Sequence, residues 1–333
     1  MHTQLNLFGE QEAVTYSSVR EMLLHNKNAE EMPQFVAYGG GVNSTAMIVL
    51  LKKLGIRPDV ILFADTGGEQ QATYDYLDIF NSWLKTNNMP EITVVRKATN
   101  NVGDRKTLRE AKRTFKKLLF LRCRNIEAYT YAIWHLYIYS SQYSTLEEQC
   151  LVTNTLPSKA YGKSSCSAIW KIEPQELYIK EWLSNHGNGE SKIRRFIGYH
   201  ADETSRLFDK TTRQPILQIG NYHNSYPLVE NGINQARCIA LILSENLPIP
   251  PKSACFFCPS RKPTEVKKLP DELLERGKLI ESVAMAGVHR REAGSTKGLG
   301  RKFAWNDLNE VTELEIAIIE HNQDNRSCAC IDW

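Results

Sequence analysis

Three glycines in succession, Gly39-Gly40-Gly41, followed by Val42-Asn43-Ser44-Thr45, form the stretch of this sequence best suited to hold an anion. Glycine enters the left-handed region without a Cβ clash and lets backbone amides approach a ligand, and amides that open a helix carry the positive end of its dipole. Ser44 and Thr45 add hydroxyl donors, so the chemistry expected is the binding of a phosphate or pyrophosphate. A tight turn is the plainer reading of the glycines, and the flanks argue for the cradle. Phe35-Val36-Ala37-Tyr38 suits a central strand, and Met47-Ile48-Val49-Leu50-Leu51 suits a buried helix. Val42-Asn43 stand where a mononucleotide P-loop has Gly-Lys, and a dinucleotide fingerprint fits no better.

Two further segments bear chemistry toward the same kind of ligand. Asp65-Thr66-Gly67-Gly68-Glu69 follows the apolar run 60–64. Asp65 there can orient a nucleotide through ribose or base, hold magnesium, or cap the next helix. Ile197-Gly198-Tyr199-His200-Ala201-Asp202-Glu203-Thr204-Ser205-Arg206 ends an apolar strand in acidic, hydroxyl and guanidinium groups. Glu203 accepts from hydroxyls and Arg206 offers a fork to phosphate, while a capped helix start is the structural alternative.

Cysteines form a separate constellation. Cys255-Phe256-Phe257-Cys258-Pro259 has the two-residue interval that lets two thiolates reach one ion or cluster, or form a dithiol redox pair. A metal site needs more ligands than this pair.

The elements that must position these residues alternate. Phe35–Tyr38, 60–64 and 92–95 read as strands, with helices over 17–28, 43–54 and 69–87, which predicts an α/β fold with a doubly wound, mostly parallel sheet. In such sheets ligands lie beyond the carboxyl ends of the strands, which predicts Asp65 and Thr66 beside the glycine loop. Helices are further expected over 232–246, 263–287 and 307–321, giving a nucleotide-binding domain over 1–230 and a helical, cysteine-bearing region over 231–333.

The ordered segments resemble the PP-loop ATP pyrophosphatases, in the branch of phosphoadenosine-phosphosulfate reductases and the related sulfur-handling proteins of DNA phosphorothioation. The family's Ser-Gly-Gly-x-Asp-Ser-Thr falls on Gly39–Thr45, with Gly39 for the first serine and Asn43 for the aspartate. Asp65-Thr66-Gly67 matches at its usual distance. Gly-x-Arg-x-x-Glu-Ser-x-Arg is similar to the turn from Gly198, with His200 for arginine and Glu203, Ser205 and Arg206 retained. The resemblance implies an adenine nucleotide alpha hydrolase-like fold that binds ATP or a related nucleotide with Mg2+. Gly39, Gly40, Gly41, Val42, Asn43, Ser44, Thr45, Asp65, Thr66, Gly198 and Ser205 would line the site, and Asp65, Glu203 and Arg206 would act in catalysis.

It also implies metal. Cluster-bearing members place a cysteine before a Lys-rich turn and a later Cys-x-x-Cys before proline or basic residues, which matches Cys166, Cys255 and Cys258. Cys238, on the helix before that turn, is the expected fourth ligand, with Cys150 next and Cys328 or Cys330 as further alternatives. A 4Fe-4S cluster is implied, with zinc as the alternative. The implied reaction is adenylation followed by sulfur transfer, on a DNA or RNA acceptor or a nucleotide-derived substrate, with a cysteine desulfurase or thiol as donor. Reduction of an adenylyl-sulfate compound and non-catalytic nucleotide sensing or nucleic-acid binding are the rivals.

Composition bounds these readings. Across 333 residues, 41 Lys and Arg face 38 Asp and Glu for a net charge of +3, so global charge demands no nucleic acid. Local patches remain: Arg105 to Arg124 is rich in Lys and Arg, and Tyr129 to Tyr139 in aromatics, a solvated face or a polyanion contact. The basic segments His289-Arg290-Arg291 and 297–302 are read as exposed loops or as a cover over an anionic substrate. No signal segment or long apolar run is seen, so a cytoplasmic protein is expected, and the eight cysteines suit free, metal-bound or redox roles.

Overall fold

The computed structural model describes residues 32–97, 100–101, 142–157, 159–160, 163–186, 192–209, 212, 214–286 and 296–324. The segment 17–28, the runs 105–124 and 129–139, residues 289–291, Cys328 and Cys330 lie outside them.

Strands β1 (Gln34–Tyr38), β2 (Val60–Asp65), β3 (Ile92–Arg96), β4 (Ile193–Phe196), β5 (Gln218–Ile219) and β6 (Tyr222–Ser225) form one sheet in the order β3-β2-β1-β4-β6-β5. β1 lies parallel to β2 and to β4, β6 is parallel to β4, and the edge pair β5–β6 is antiparallel. Because β2 is buried at every residue, its sequence runs apolar without alternation, as a strand covered on both faces requires. The fold is α/β with a mostly parallel sheet.

Two compact units divide the chain, and they interleave. The first takes in Met1–Phe63, Ala72–Thr93 and Ile179–Lys252, and the second Ala64–Gln71, Val94–Tyr178 and Ser253–Trp333. The strand-end segment Ala64–Gln71 groups with the C-terminal region because Thr66 and Gly68 carbonyls accept from Leu146 and Phe256 amides, at 3.0 and 2.7 Å.

In the first unit, helix α1 (Val42–Lys53) follows the glycines with eight consecutive buried residues, Ser44 to Leu51. Helix α2 (Gln71–Thr86) brings Phe80 and Trp83 into a stack with Tyr38, at centroid separations of 5.4 and 5.3 Å. In the second unit, helix α3 (Leu146–Thr153) has a complete capping box, in which the Thr145 side chain accepts from the Glu148 amide. A π-helical turn, Ala168–Ile172, then leads into α4 (Glu173–His186). Helix α5 (Gln235–Leu243) packs on α1 in the first unit.

The expected helix over 263–287 is two, Pro263–Val266 and α6 (Asp271–Ala286), since Pro270 lacks the amide an unbroken helix needs. The last described helix, α7 (Glu313–Asp324), starts six residues after the expected 307. Among the described residues no helix is long and apolar enough to cross a membrane.

Candidate functional site

In the first unit the glycine turn does open a helix. Gly40 has φ +76, in the left-handed region, and Gly41 is the N-cap of α1 with no side-chain cap hydrogen bond and no acidic residue in the first turn. The positive end of α1 is thus uncompensated by side chains. The hydroxyls of Ser44 and Thr45 are engaged within the loop and strand. Ser44 Oγ donates to the Gly41 carbonyl and accepts from the Gly39 amide, both at 3.2 Å, and Thr45 Oγ1 shares a 3.2 Å bond with the Tyr38 hydroxyl. The two hydroxyls brace the loop from within, and the Gly39 amide is spent on that brace.

Gly198 belongs to the same place for a steric reason. A Cβ there would lie 3.0 Å from Ser44 Cα and 3.1 Å from Ser44 N, so a larger residue would require the helix-start backbone to give by a few tenths of an ångström. Beyond it, the 3-10 turn Ala201–Leu207 is capped by His200, whose Nδ1 accepts from the Asp202 amide at 3.2 Å. That assigns the neutral ring proton to Nε2, which lies 3.5 Å from Glu203 Oε2. Glu203 is the hub. Its Oε2 accepts from Asn43 Nδ2 at 3.0 Å and its Oε1 from Arg206 Nη1 at 2.9 Å. Arg206 lies over the Tyr199 ring at 4.0 Å, and Tyr199 stacks on Tyr226. Ser205 is exposed. One oxygen of this network stays unanswered: Asn43 Oδ1 is buried and makes no hydrogen bond.

The structure therefore brings together Gly40, Gly41, Asn43, Gly198, Glu203 and Arg206. The Asn43–Glu203 bond, 160 residues apart in sequence, had no local signal. Asn43 is neutral, and Glu203 is engaged by Asn43 and Arg206.

Asp65 and Thr66 group with the second unit. Asp65 is buried, forms an ion pair with Arg96 (Nη2 to Oδ2 2.8 Å), and accepts from the Gly67 amide at 2.8 Å. Gly67 has φ +71, and a Cβ on it would meet Thr145 Cγ2 at 2.3 Å. Thr66 Oγ1 accepts from the Gly68 amide at 3.2 Å and contacts Cys255 Sγ at 3.1 Å. The Asp-Thr-Gly turn thus holds the Cys-x-x-Cys segment.

That segment is itself tightly turned, with the Cys258 amide donating to the Cys255 carbonyl at 3.0 Å. The buried Arg261 donates to the Cys255 and Ala254 carbonyls, both at 3.2 Å. Cys166, Cys255 and Cys258 line one cavity with Thr66, Leu146 and Pro157. Lys171, from the π-helical turn, also borders it and pairs with the fully buried Glu69 at 3.2 Å. Burial raises the Cys166, Cys255 and Cys150 thiols above the usual cysteine value, with Cys258 adding to the shift at Cys166 and Glu69 at Cys255. They are protonated at neutral pH.

Cys238 does not join them. It is wholly buried in the apolar core of the first unit with Met47 and Ile242, and burial pushes its thiol up to about 12. Helix α5 turns this residue toward α1, so the cysteine fills core there. Among the described residues, no three His, Cys, Asp or Glu side chains are arranged to hold a metal ion. The implied set of Cys166, Cys238, Cys255 and Cys258 is thus divided between two apolar clusters, with Cys238 in one and the other three at the second. Segment 297–302 is likewise no open cover: Leu299 is buried, and its amide donates to the buried carboxylate of Glu281.

No family model and no curated protein sequence matches the chain. Among solved structures, phosphoadenylyl-sulfate (PAPS) reductase from Candida auris, in a phosphate complex, is similar at 13% identity, over 71% of this chain and 85% of that one, with a TM-score of 0.33. A likeness of that size carries no weight for the reaction, and the fold assignment rests on the sheet itself.

Proposed function

We propose that the first unit binds the phosphate of an adenine nucleotide at Gly40–Asn43, and that the chain is a nucleotide-dependent enzyme of PP-loop type. Adenylation followed by sulfur transfer to a nucleic acid or nucleotide-derived acceptor is the fuller form of this reading, with a cysteine desulfurase or thiol as sulfur donor. The observation that carries the binding step is the uncapped start of α1, pressed by Gly198 and fronted by the Asn43–Glu203–Arg206 network. Backbone amides there take phosphate oxygens at the positive helix end. Asn43 Oδ1 accepts from a hydroxyl or amine of the substrate, which answers its missing hydrogen bond. Arg206, held flat on Tyr199, supplies positive charge as negative charge builds on the transferred group.

One observation favours the rival reductive reading. With Asn43 neutral and Glu203 committed to Arg206, the cradle suits a nucleotide that binds without a divalent ion, as an adenylyl-sulfate does. Equilibrium dialysis of ATP, adenylyl-sulfate and phosphoadenylyl-sulfate with and without magnesium separates the two. Tighter ATP binding with magnesium, and pyrophosphate release with an acceptor polynucleotide, supports sulfur transfer; metal-independent phosphosulfate binding and thiol-dependent sulfite release supports reduction. Failure of every nucleotide to bind removes both.

A further inference from the structure

We propose that His200 is a positioning residue whose charge sets the cradle of the first unit: neutral, it leaves Glu203 bound to Asn43 and Arg206, and protonated, it draws Glu203 off them so that both meet the phosphate. The inference rests on the nucleotide reading of that unit and names how the site is controlled.

The surroundings of His200 set two states against each other. With a neutral ring, Nδ1 accepts from the Asp202 amide at 3.2 Å and caps the turn Ala201–Leu207. A protonated ring has no lone pair to accept with, so that amide loses its partner. The same ring lies 3.4 Å from Asp202 Oδ2 through Nδ1 and 3.5 Å from Glu203 Oε2 through Nε2, with only 14% of its side chain exposed. Both separations are longer than a charge-assisted hydrogen bond, so protonation leaves contacts to close. An imidazolium gives up one neutral cap and gains two carboxylates.

Glu203 carries that change to the cradle. Its Oε2, the atom facing the ring, also accepts from Asn43 Nδ2 at 3.0 Å and from the His200 amide at 3.4 Å, while Oε1 holds Arg206 Nη1 at 2.9 Å. Glu203 has a non-helical backbone, φ −101 and ψ 26, inside the 3-10 turn, so the turn is already broken at the residue that moves. Drawing Oε2 toward the ring releases the Asn43 amide group and loosens the Arg206 guanidinium. Charge acts in the same direction. Asp202, Glu203 and Arg206 together carry one negative charge beside the start of α1, and an imidazolium cancels it, which favours an arriving anion.

The elements packed on this turn bring other titratable groups. The short helix Pro227–Glu230 brings Glu230, whose carboxyl is raised by burial against the Tyr226 amide and Arg194. Helix α5 brings Cys238, whose thiol is pushed up to about 12 by burial and then by Glu203 and Asp202. Tyr199 lies under Arg206. Buried thiols and phenols stay neutral between about pH 5 and 8, where histidine changes charge, so Glu230 is the group to control for.

The test uses the full chain and adenylyl-sulfate, which, unlike ATP, has no phosphate group that titrates near neutral pH. Binding is measured by equilibrium dialysis without added metal at about pH 5.5 and about pH 8, on either side of the histidine range. Wild-type protein should bind at least about fivefold more tightly at the lower pH. His200→Asn, which keeps an acceptor at the cap and takes no proton, should bind equally at both, and Glu230→Gln should keep the wild-type ratio. Should His200→Asn fold poorly, the Asp202 amide of wild-type protein is followed by 1H–15N NMR over the same range, and its resonance must move with the His200 ring signals. Equal wild-type affinity at the two pH values, a ratio that survives in His200→Asn or is lost in Glu230→Gln, or an Asp202 amide indifferent to pH overturns this inference alone. Binding at neither pH removes the nucleotide reading and this inference with it.

Discussion

The cradle of the first unit and the thiol cavity of the second solve opposite problems. The cradle is built from backbone: amides at a helix start, a left-handed Gly40, and a Gly198 that leaves room for them. The cavity is built from side chains, thiols kept dry among Phe256, Phe257 and Trp170, with the buried Arg261 holding the Cys255 carbonyl and Lys171 paired to Glu69. Backbone polarity is fixed by geometry, whereas a thiol's state follows its surroundings. The first site is therefore broken by adding atoms and the second by removing support.

The largest expected effect is on the second unit. Glu281 accepts from the amides of Leu299, Trp305 and Asn306, so Glu281→Ala leaves several buried donors unanswered. A loss of about 3 kcal/mol or more is expected in denaturant unfolding, with faster alkylation of Cys150 and Cys255. If the two regions depend on different determinants, nucleotide binding at the cradle persists in the folded variant.

Next comes the reverse insult. Gly198→Ala puts a methyl 3.0 Å from Ser44 Cα, where backbone must give way. A cost of about 1–3 kcal/mol is expected, with weaker nucleotide binding by equilibrium dialysis and unchanged thiol alkylation. Asn43→Asp sharpens the point by bringing a second carboxylate against Glu203 at a 3.0 Å contact. Roughly tenfold weaker nucleotide binding in metal-free buffer is expected, with recovery on adding magnesium.

The pH response also divides the regions. The thiols of Cys150, Cys166 and Cys255 are raised in the folded state by burial above their ordinary 9.0. Their contribution to stability is complete below that value and is lost as pH rises through the raised folded values, so metal-free protein should lose stability steadily above pH 9 in chemical denaturation. The smallest effect is at Glu245, whose carboxyl is lowered first by Lys53 and then by Lys52 at the end of α1. Its stabilisation is present above the ordinary carboxylate value of 4.5 and fades as pH falls through the lowered one. Glu245→Gln should cost no more than about 1 kcal/mol at pH 7 and nothing at low pH.

Much of the fold was legible because the decisive patterns are local. Phe35–Tyr38 and 60–64 announce buried strands, and the observed strands end within a residue of that reading. The glycine turn announced itself in the same way, since strand, turn and helix are contiguous. Ser44 and Thr45 were harder. A hydroxyl near a helix start looks the same in sequence whether it meets a ligand or braces the loop, and the contacts with the Gly41 carbonyl and Tyr38 hydroxyl appear only in the fold.

What the amino-acid order settled by itself is whatever neighbours along the chain can settle: a glycine turn opening a helix after β1, a Cys-x-x-Cys turn, and a mostly parallel α/β core. Tertiary structure alone settled which distant groups meet. Asn43 found Glu203, Asp65 found Arg96, and Cys150, not Cys238, entered the core that holds the other thiols. Both cysteines sit on buried faces of short helices, so their sequences read alike. Which core buries a helix face depends on long-range packing, and an apolar stripe carries no address.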